Sequence, residues 1–288
     1  MATPPPSPAV PFRGPSRSLP IFLFVVLVLA AFVASVKTAQ VDFFVLVEAE
    51  SRRNLFRFLF GMFPPDLSLD FLRLMLPPVL ETIQISIMGT TIAILVGLPL
   101  GLLATSSLTW GGVLHEMGTM GQRSRRLLRV LPYAFARGLL SVFRAIPEFV
   151  WALIFVRAVG LGPFPGVLAI GVAYGGILGK VYSEILESVD PKPLEALQAT
   201  GASKLQIVLY GLLPQAFPDF VSYSLYRWEC AIRASAILGF VGAGGIGQQL
   251  ELSMRMFNFH EVTTLIGLLA LLVAAADLLS ARIRKGIL

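Results

Sequence analysis

The chain has 288 residues, 56% apolar and 14% charged, with a mean hydropathy of +0.78. That composition excludes an ordinary soluble domain and implies an integral membrane protein. One cysteine, Cys230, and two histidines, His115 and His260, leave no internal disulfide and no residue set for a metal cluster, so redox and metalloenzyme chemistry drop out.

Residues 1–18 are rich in proline and serine and cannot bury enough surface to order, which predicts a disordered cytosolic tail. The apolar run 19–36 follows Arg13 and Arg17 and ends near Ala34 and Ser35, as a cleaved signal peptide would. Its core exceeds the about 7–15 residues of a signal peptide, so an uncleaved first transmembrane helix is the better expectation. Residues 37–76 form an outer segment in which basic Arg52, Arg53 and Arg57 are interspersed with apolar residues. An interfacial helix is predicted there, either near a docking protein or sealing the edge of a bundle.

Further membrane-length runs are predicted at 77–105, 139–160, 165–187, 216–243 and 262–282, six spans with the first. Glycines at 89, 97 and 101 in the second span and at 171, 175, 176 and 179 in the fourth are spaced for close helix contact. Pro99 and Pro147 are expected to kink their spans. Lysines and arginines concentrate in alternate segments, notably Arg123, Arg125, Arg126, Arg129 and Arg137, which places both termini in the cytosol. The arginine cluster beside a span lacks the aromatic interleaving of a nucleic-acid surface, so no nucleic-acid partner is expected.

Between the fourth and fifth spans lies a polar insert, 188–215. Pro193 and Glu195 suit a first helical turn, Gly201 stops that helix, and Ser203 with Gln206 forms a capping-box pattern for a second one, which Pro214 should separate from the next span. In the fifth span Ser222, Tyr226, Glu229 and Arg233 share a helical face, and Glu229 and Arg233 are four apart and can pair. That face is either an anion path, in which arginine meets anionic oxygens, or a staple between helices. Gly242, Gly244 and Gly247 spell a dinucleotide fingerprint without its strand or acidic residue, so the run, with Gly245, reads instead as a loop for close helix approach or a gate.

The insert resembles the signature loop of ABC importer permeases: Glu195, Ala196, Gly201, Leu213 and Pro214 match its spacing, whereas Leu197 and Gly211 stand where the family has alanine and isoleucine. Pro77 to Ile85, Phe143 to Glu148, Leu225 to Ser235 and Gly239 to Gly247 are similar to phosphonate importer permeases. The resemblance implies an all-α membrane protein of six transmembrane helices with a type I ABC importer permease core over 77–288. In it Glu195, Ala196, Gly201, Ser203, Leu213 and Pro214 form a cytosolic coupling helix pushed by an ATPase. It further implies a homodimer in the bacterial inner membrane, working with two ABC ATPase subunits and an external binding protein to carry phosphonate, phosphite or phosphate. This sequence has no Gly-x-x-x-x-Gly-Lys-Ser/Thr loop, so ATP and magnesium are expected on the partner ATPase, with no cofactor here. Another small solute, a passive channel and a membrane-embedded enzyme are the alternatives.

Overall fold

A computed structural model describes residues 18–39, 45, 48–109 and 123–287, nearly all of them helical. The predicted tail over 1–18 lies outside the described residues except for Ser18. The chain forms two compact units, 1–59 and 60–288.

The first unit holds α1 (Ser18–Thr38) and most of α2 (Ala49–Gly61). Over Pro20–Thr38, α1 is long and apolar enough to cross a membrane and buries nothing, as expected of a helix whose solvent is lipid. In α2, Leu55, Phe56 and Leu59 are exposed on a helix carrying Arg52, Arg53 and Arg57, and no residue is buried.

The second unit is organised by α3 (Leu69–Leu103) and α7 (Pro163–Ser188). At 35 residues α3 is about 52 Å long, well beyond the roughly 30 Å hydrocarbon layer. It begins eight residues before the expected span at 77. The start is chemically defined: the Ser68 hydroxyl accepts from Phe71 N–H, and the Asp66 carboxylate accepts from Ser68 N–H at 2.9 Å. That backbone hydrogen bond, with a contribution from the Ser68 side chain, holds the Asp66 carboxyl below its ordinary value. Ties from Thr263 Oγ1 to Met62 O and from Thr264 Oγ1 to Asp66 O pin this approach to the last helix.

The expected glycine contacts are present. A Cβ on Gly97 would stand 3.0 Å from Gly175 O and Gly179 N, and one on Gly101 would stand 2.8 Å from Gly179 O, so α3 and α7 touch backbone to backbone. Gly176 does the same for α5 (Arg123–Ala145), with Phe143 Cβ only 2.6 Å from its would-be side chain. A short α4 (Ser106–Thr109) follows α3.

The third expected span, 139–160, is not one helix. It is split into α5 and α6 (Glu148–Val159), bent by 88° between Ala145 and Glu148. Pro147 supplies the cause, because it excludes helical backbone at Ile146 and sits extended as the cap of α6.

The insert contains α8 (Pro191–Ala199) and α9 (Lys204–Gln206), and α9 leads through a π-helical segment, Ile207–Leu212, into α10 (Leu213–Gly239). The chain closes with α11 (Gly245–Arg255) and α12 (Phe259–Ile287). Among the described residues α1, α3, α7 and α12 are each apolar and long enough to span a membrane, and α5 with α6 is a fifth candidate if counted as one bent span. The fifth expected span, 216–243, coincides with α10, which at 27 residues has the length but carries Asp219, Arg227, Glu229 and Arg233. The hydrophobic core is shared by α3, α7 and α10, with Ile85, Ile170, Leu178, Tyr182 and Leu238 nearly inaccessible.

Candidate functional site

The polar insert is built from local rules. Asp190 caps α8 through Lys192 N–H at 3.1 Å, with Pro191 in the first turn where its missing N–H costs nothing. The helix therefore starts two residues before Pro193. Gly201 adopts φ +82°, a left-handed stop that favours glycine. Ser203 and Gln206 complete the capping box, each satisfying the other's backbone N–H. Leu194 is buried and anchors the hairpin to the core, while Glu195 and Ala196 face outward.

Pro214 does not separate the second helix from the fifth span. Helical backbone continues from Lys204 to Gly239, and the π register absorbs the proline: Leu213 N–H bonds Val208 O, and Gln215 Nε2 reaches Gly211 O at 2.9 Å. The two departures from the family pattern meet in space, since a Cβ on Gly211 would lie 2.8 Å from both Leu194 Cδ2 and Leu197 Cδ1. Leu197 thus fills the room that a larger residue at 211 would take. Gly211→Ile alone and Leu197→Ala alone are each expected to lower the unfolding midpoint, and the double variant to recover most of the loss. A double-mutant cycle by thermal unfolding should give a coupling of roughly 1–3 kcal/mol.

Beside the hairpin, Arg137 of α5 donates from Nε to Ala104 O at 3.1 Å and pairs with Glu187 at 3.2 Å, while Glu187 also accepts Ser106 N–H at 2.7 Å. The end of α7 that enters the hairpin is thereby fastened to the end of α3. Such a cross-link has no signal in a single sequence.

The polar face of α10 differs from its expected form. Glu229 does not pair with Arg233. Its buried carboxylate lies 2.9 Å from Arg284 Nη1 of α12, although the N–H is not aligned for a hydrogen bond and Oε1 has no other partner. Arg233 is exposed and bonded to nothing among the described residues. Ser222, Tyr226 and Glu229 do come together, lining with Asp219, Tyr223 and Arg284 a groove of about 580 Å³. A second, apolar groove of about 590 Å³ lies between α3, α7 and α10 under Trp228 and Phe217.

Arg227 is held at mid-helix by tyrosines 174, 223 and 226. The four-residue spacing of Tyr223 and Arg227 was the available sequence signal, whereas Tyr174 and Arg284 come from other helices.

The glycine loop is a tied crossing. Gly242, Gly244 and Gly245 have φ of +87°, +79° and +73°. A Cβ on Gly247 would be 1.7 Å from Ala236 O, so α10 and α11 cross at their backbones. Glu81 and Thr82 of α3 accept Gly245 N–H and Ile246 N–H, both at 2.9 Å, capping α11, and Gly242 O accepts Gly162 N–H at 2.9 Å. What precedes the fingerprint is α10, not a strand.

Helices of crossing length around a capped, protruding hairpin define a multi-pass membrane permease. Residues 97–287 match the sequence profile of the binding-protein-dependent transport system inner membrane component family, and the chain belongs to that family. The phosphite transport system permease protein PtxC of Stutzerimonas stutzeri is 36% identical over 77% of this chain and 74% of its own length. The phosphate-import permease protein PhnE of Mycolicibacterium smegmatis is 31% identical over 85% of this chain and 42% of its own. An inward-facing structure of the MetNI methionine ABC transporter has a chain of the same fold, with a TM-score of 0.62 at 23% identity, covering 77% of this chain and all of that one.

Proposed function

We propose that this chain is the transmembrane subunit of an ATP-driven ABC importer for phosphite, phosphonate or phosphate. The reading is carried by the hairpin 188–215, which turns outward Glu195 and Ala196 on α8 and Leu205 and Tyr210 on the second limb, the limb that continues without a break into α10. An exposed apolar patch on a polar protrusion suits a partner protein. In this reading the partner is a cytosolic ATPase that binds ATP and magnesium, the chain itself is not an enzyme, and it needs no cofactor. One hairpin per chain and a paired ATPase call for two copies about a twofold axis. An external binding protein delivers the solute, both termini are cytosolic in the bacterial inner membrane, and Gly242 to Gly247 serves as the articulation where α10 turns into α11. The relatives named for phosphite and phosphate import support the substrate class.

Reversing the charge at Glu195 tests the coupling. The side chain is exposed and has no hydrogen bond, so Glu195→Arg leaves the fold intact. Phosphite uptake into cells is expected to fall at least tenfold, with the permease still present in the membrane at wild-type level. A passive channel or membrane enzyme would make the hairpin dispensable, and undiminished uptake would establish that alternative.

A further inference from the structure

Arg227 lies near the midpoint of α10. Its Nε and Nη2 donate to Tyr223 Oη at 3.1 and 2.7 Å, and its guanidinium carbon stands 5.3, 5.6 and 5.7 Å from the ring centroids of Tyr223, Tyr174 and Tyr226. Aromatic faces stabilise the cation and keep its plane fixed without neutralising it. Among the described residues no carboxylate comes within ion-pair distance, and Nη1 has no acceptor. The hydroxyls of Tyr174 and Tyr226 likewise donate to nothing in the described chain, and Tyr223 accepts from Arg227 while keeping its own proton. Tyr226 is 47% exposed, so the cluster is open on one side.

A charged side chain at such a depth is expected to serve a path or a partner. Here no ion-pair partner is present among the described residues, and the spare groups are donors: one planar guanidinium edge and three phenols. The acid nearest along α10, Glu229, is engaged by Arg284, which leaves Glu148 of α6, near Tyr174, as the carboxylate that opposes an anion at the cluster. Tyr223 and Tyr226, which contact Arg227, also line the groove of about 580 Å³, ample for a small tetrahedral anion. Arg233, also without an ion-pair partner, stands about 9 Å further along the helix. Asp219, at the hairpin end of the same groove, opposes retention of an anion there and so favours its release.

We infer that Arg227, with Tyr174, Tyr223 and Tyr226, forms an anion cradle in the translocation path that takes a tetrahedral oxyanion through bidentate guanidinium and phenol hydrogen bonds. The assignment of phosphorus oxyanions as the occupant rests on the proposed function. The cradle itself rests on the geometry, and the two are tested separately.

The first measurement is ATP-driven uptake of phosphite and phosphate by the full permease reconstituted with its ATPase and binding protein. Arg227→Gln is expected to cut uptake at least tenfold while ATP hydrolysis stimulated by loaded binding protein stays within twofold of wild type. Arg227→Lys should recover part of the loss, Tyr226→Phe should cost two- to fivefold, and Arg157→Gln, an exposed arginine of α6, should match wild type. The second measurement needs no transported solute. In purified chain carrying Ser222→Cys and Cys230→Ser, the groove thiol is labelled at low salt with an anionic and a neutral methanethiosulfonate. Adding Arg227→Gln should lower the anionic-to-neutral rate ratio at least threefold.

Wild-type uptake in Arg227→Gln, an unchanged rate ratio, or a thiol that reacts with neither reagent would each overturn the cradle. So would loss of ATPase stimulation together with uptake in Arg227→Gln when Tyr226→Phe is silent, because that marks a helix staple. If wild type moves neither phosphite nor phosphate yet the rate ratio still falls, the substrate reading fails and the cradle stands.

Discussion

Gly247→Ala is expected to destabilise the protein by roughly 3 kcal/mol or more, enough to deplete it from the membrane. The added methyl would sit 1.7 Å from Ala236 O and 2.7 Å from Ala236 C, and a main-chain obstacle has no rotamer by which to step aside. Relief requires the end of α10 to part from the start of α11. That movement would strip the hydrogen bonds from Gly245 and Ile246 to Glu81 and Thr82, exposing α11's first amides in a nonaqueous setting. Gly138→Ala is the control: it lies in a helix with nothing within 4 Å of its would-be Cβ, and it should be neutral or slightly stabilising. Membrane yield and the unfolding midpoint in detergent measure both. Equal behaviour of the two variants would refute the tight crossing.

Arg284→Ala is expected to cost roughly 3–5 kcal/mol, because it strands a buried carboxylate. Glu229 has only 9% of its side chain exposed and no hydrogen bond in reserve, so its charge loses its one compensation. Removing both charges should be far milder: Glu229→Leu with Arg284→Leu is expected to be close to wild type in stability, since a desolvated pair often gives way to apolar packing at little cost. The unfolding midpoints of the single and double variants decide the point. A single variant as stable as wild type would mean that Glu229 finds another partner or water. The double variant also leaves Arg227 and its tyrosines untouched, so its transport separates anchoring from conduction.

Periodicity and composition carry much of this architecture. Local chemistry was legible at several points where it acts within a few residues: the capping box of Ser203 and Gln206 and the left-handed stop at Gly201 are decided by neighbours in the chain, while Pro147 was legible as a kink but not as the 88° break it makes. The glycine stripes of α3 and α7 were legible as surfaces for close contact because a missing Cβ has a geometric meaning in a membrane helix. Pairings across helices were not. Glu229 has Arg233 one turn away and Arg284 on another helix, and nothing along the chain says that the nearer guanidinium turns outward. Tyr174 joins Arg227 only because Gly97, Gly101, Gly175 and Gly179 bring α3 and α7 together and α10 packs against both. The π segment escaped notice for a related reason. Pro214 looks like an exit when each turn is read alone, but a widened turn that houses it keeps the helix going.

That uninterrupted run from Lys204 to Gly239 is a rod of about 54 Å, buried in the core from Ile207 and Leu212 near one end to Leu238 at the other. If the hairpin is pushed as the proposed function requires, a tilt of about 10° about the rod's centre would carry its two tips roughly 5 Å in opposite directions, and the backbone crossing of Ala236 with Gly247 would oblige α11 to follow.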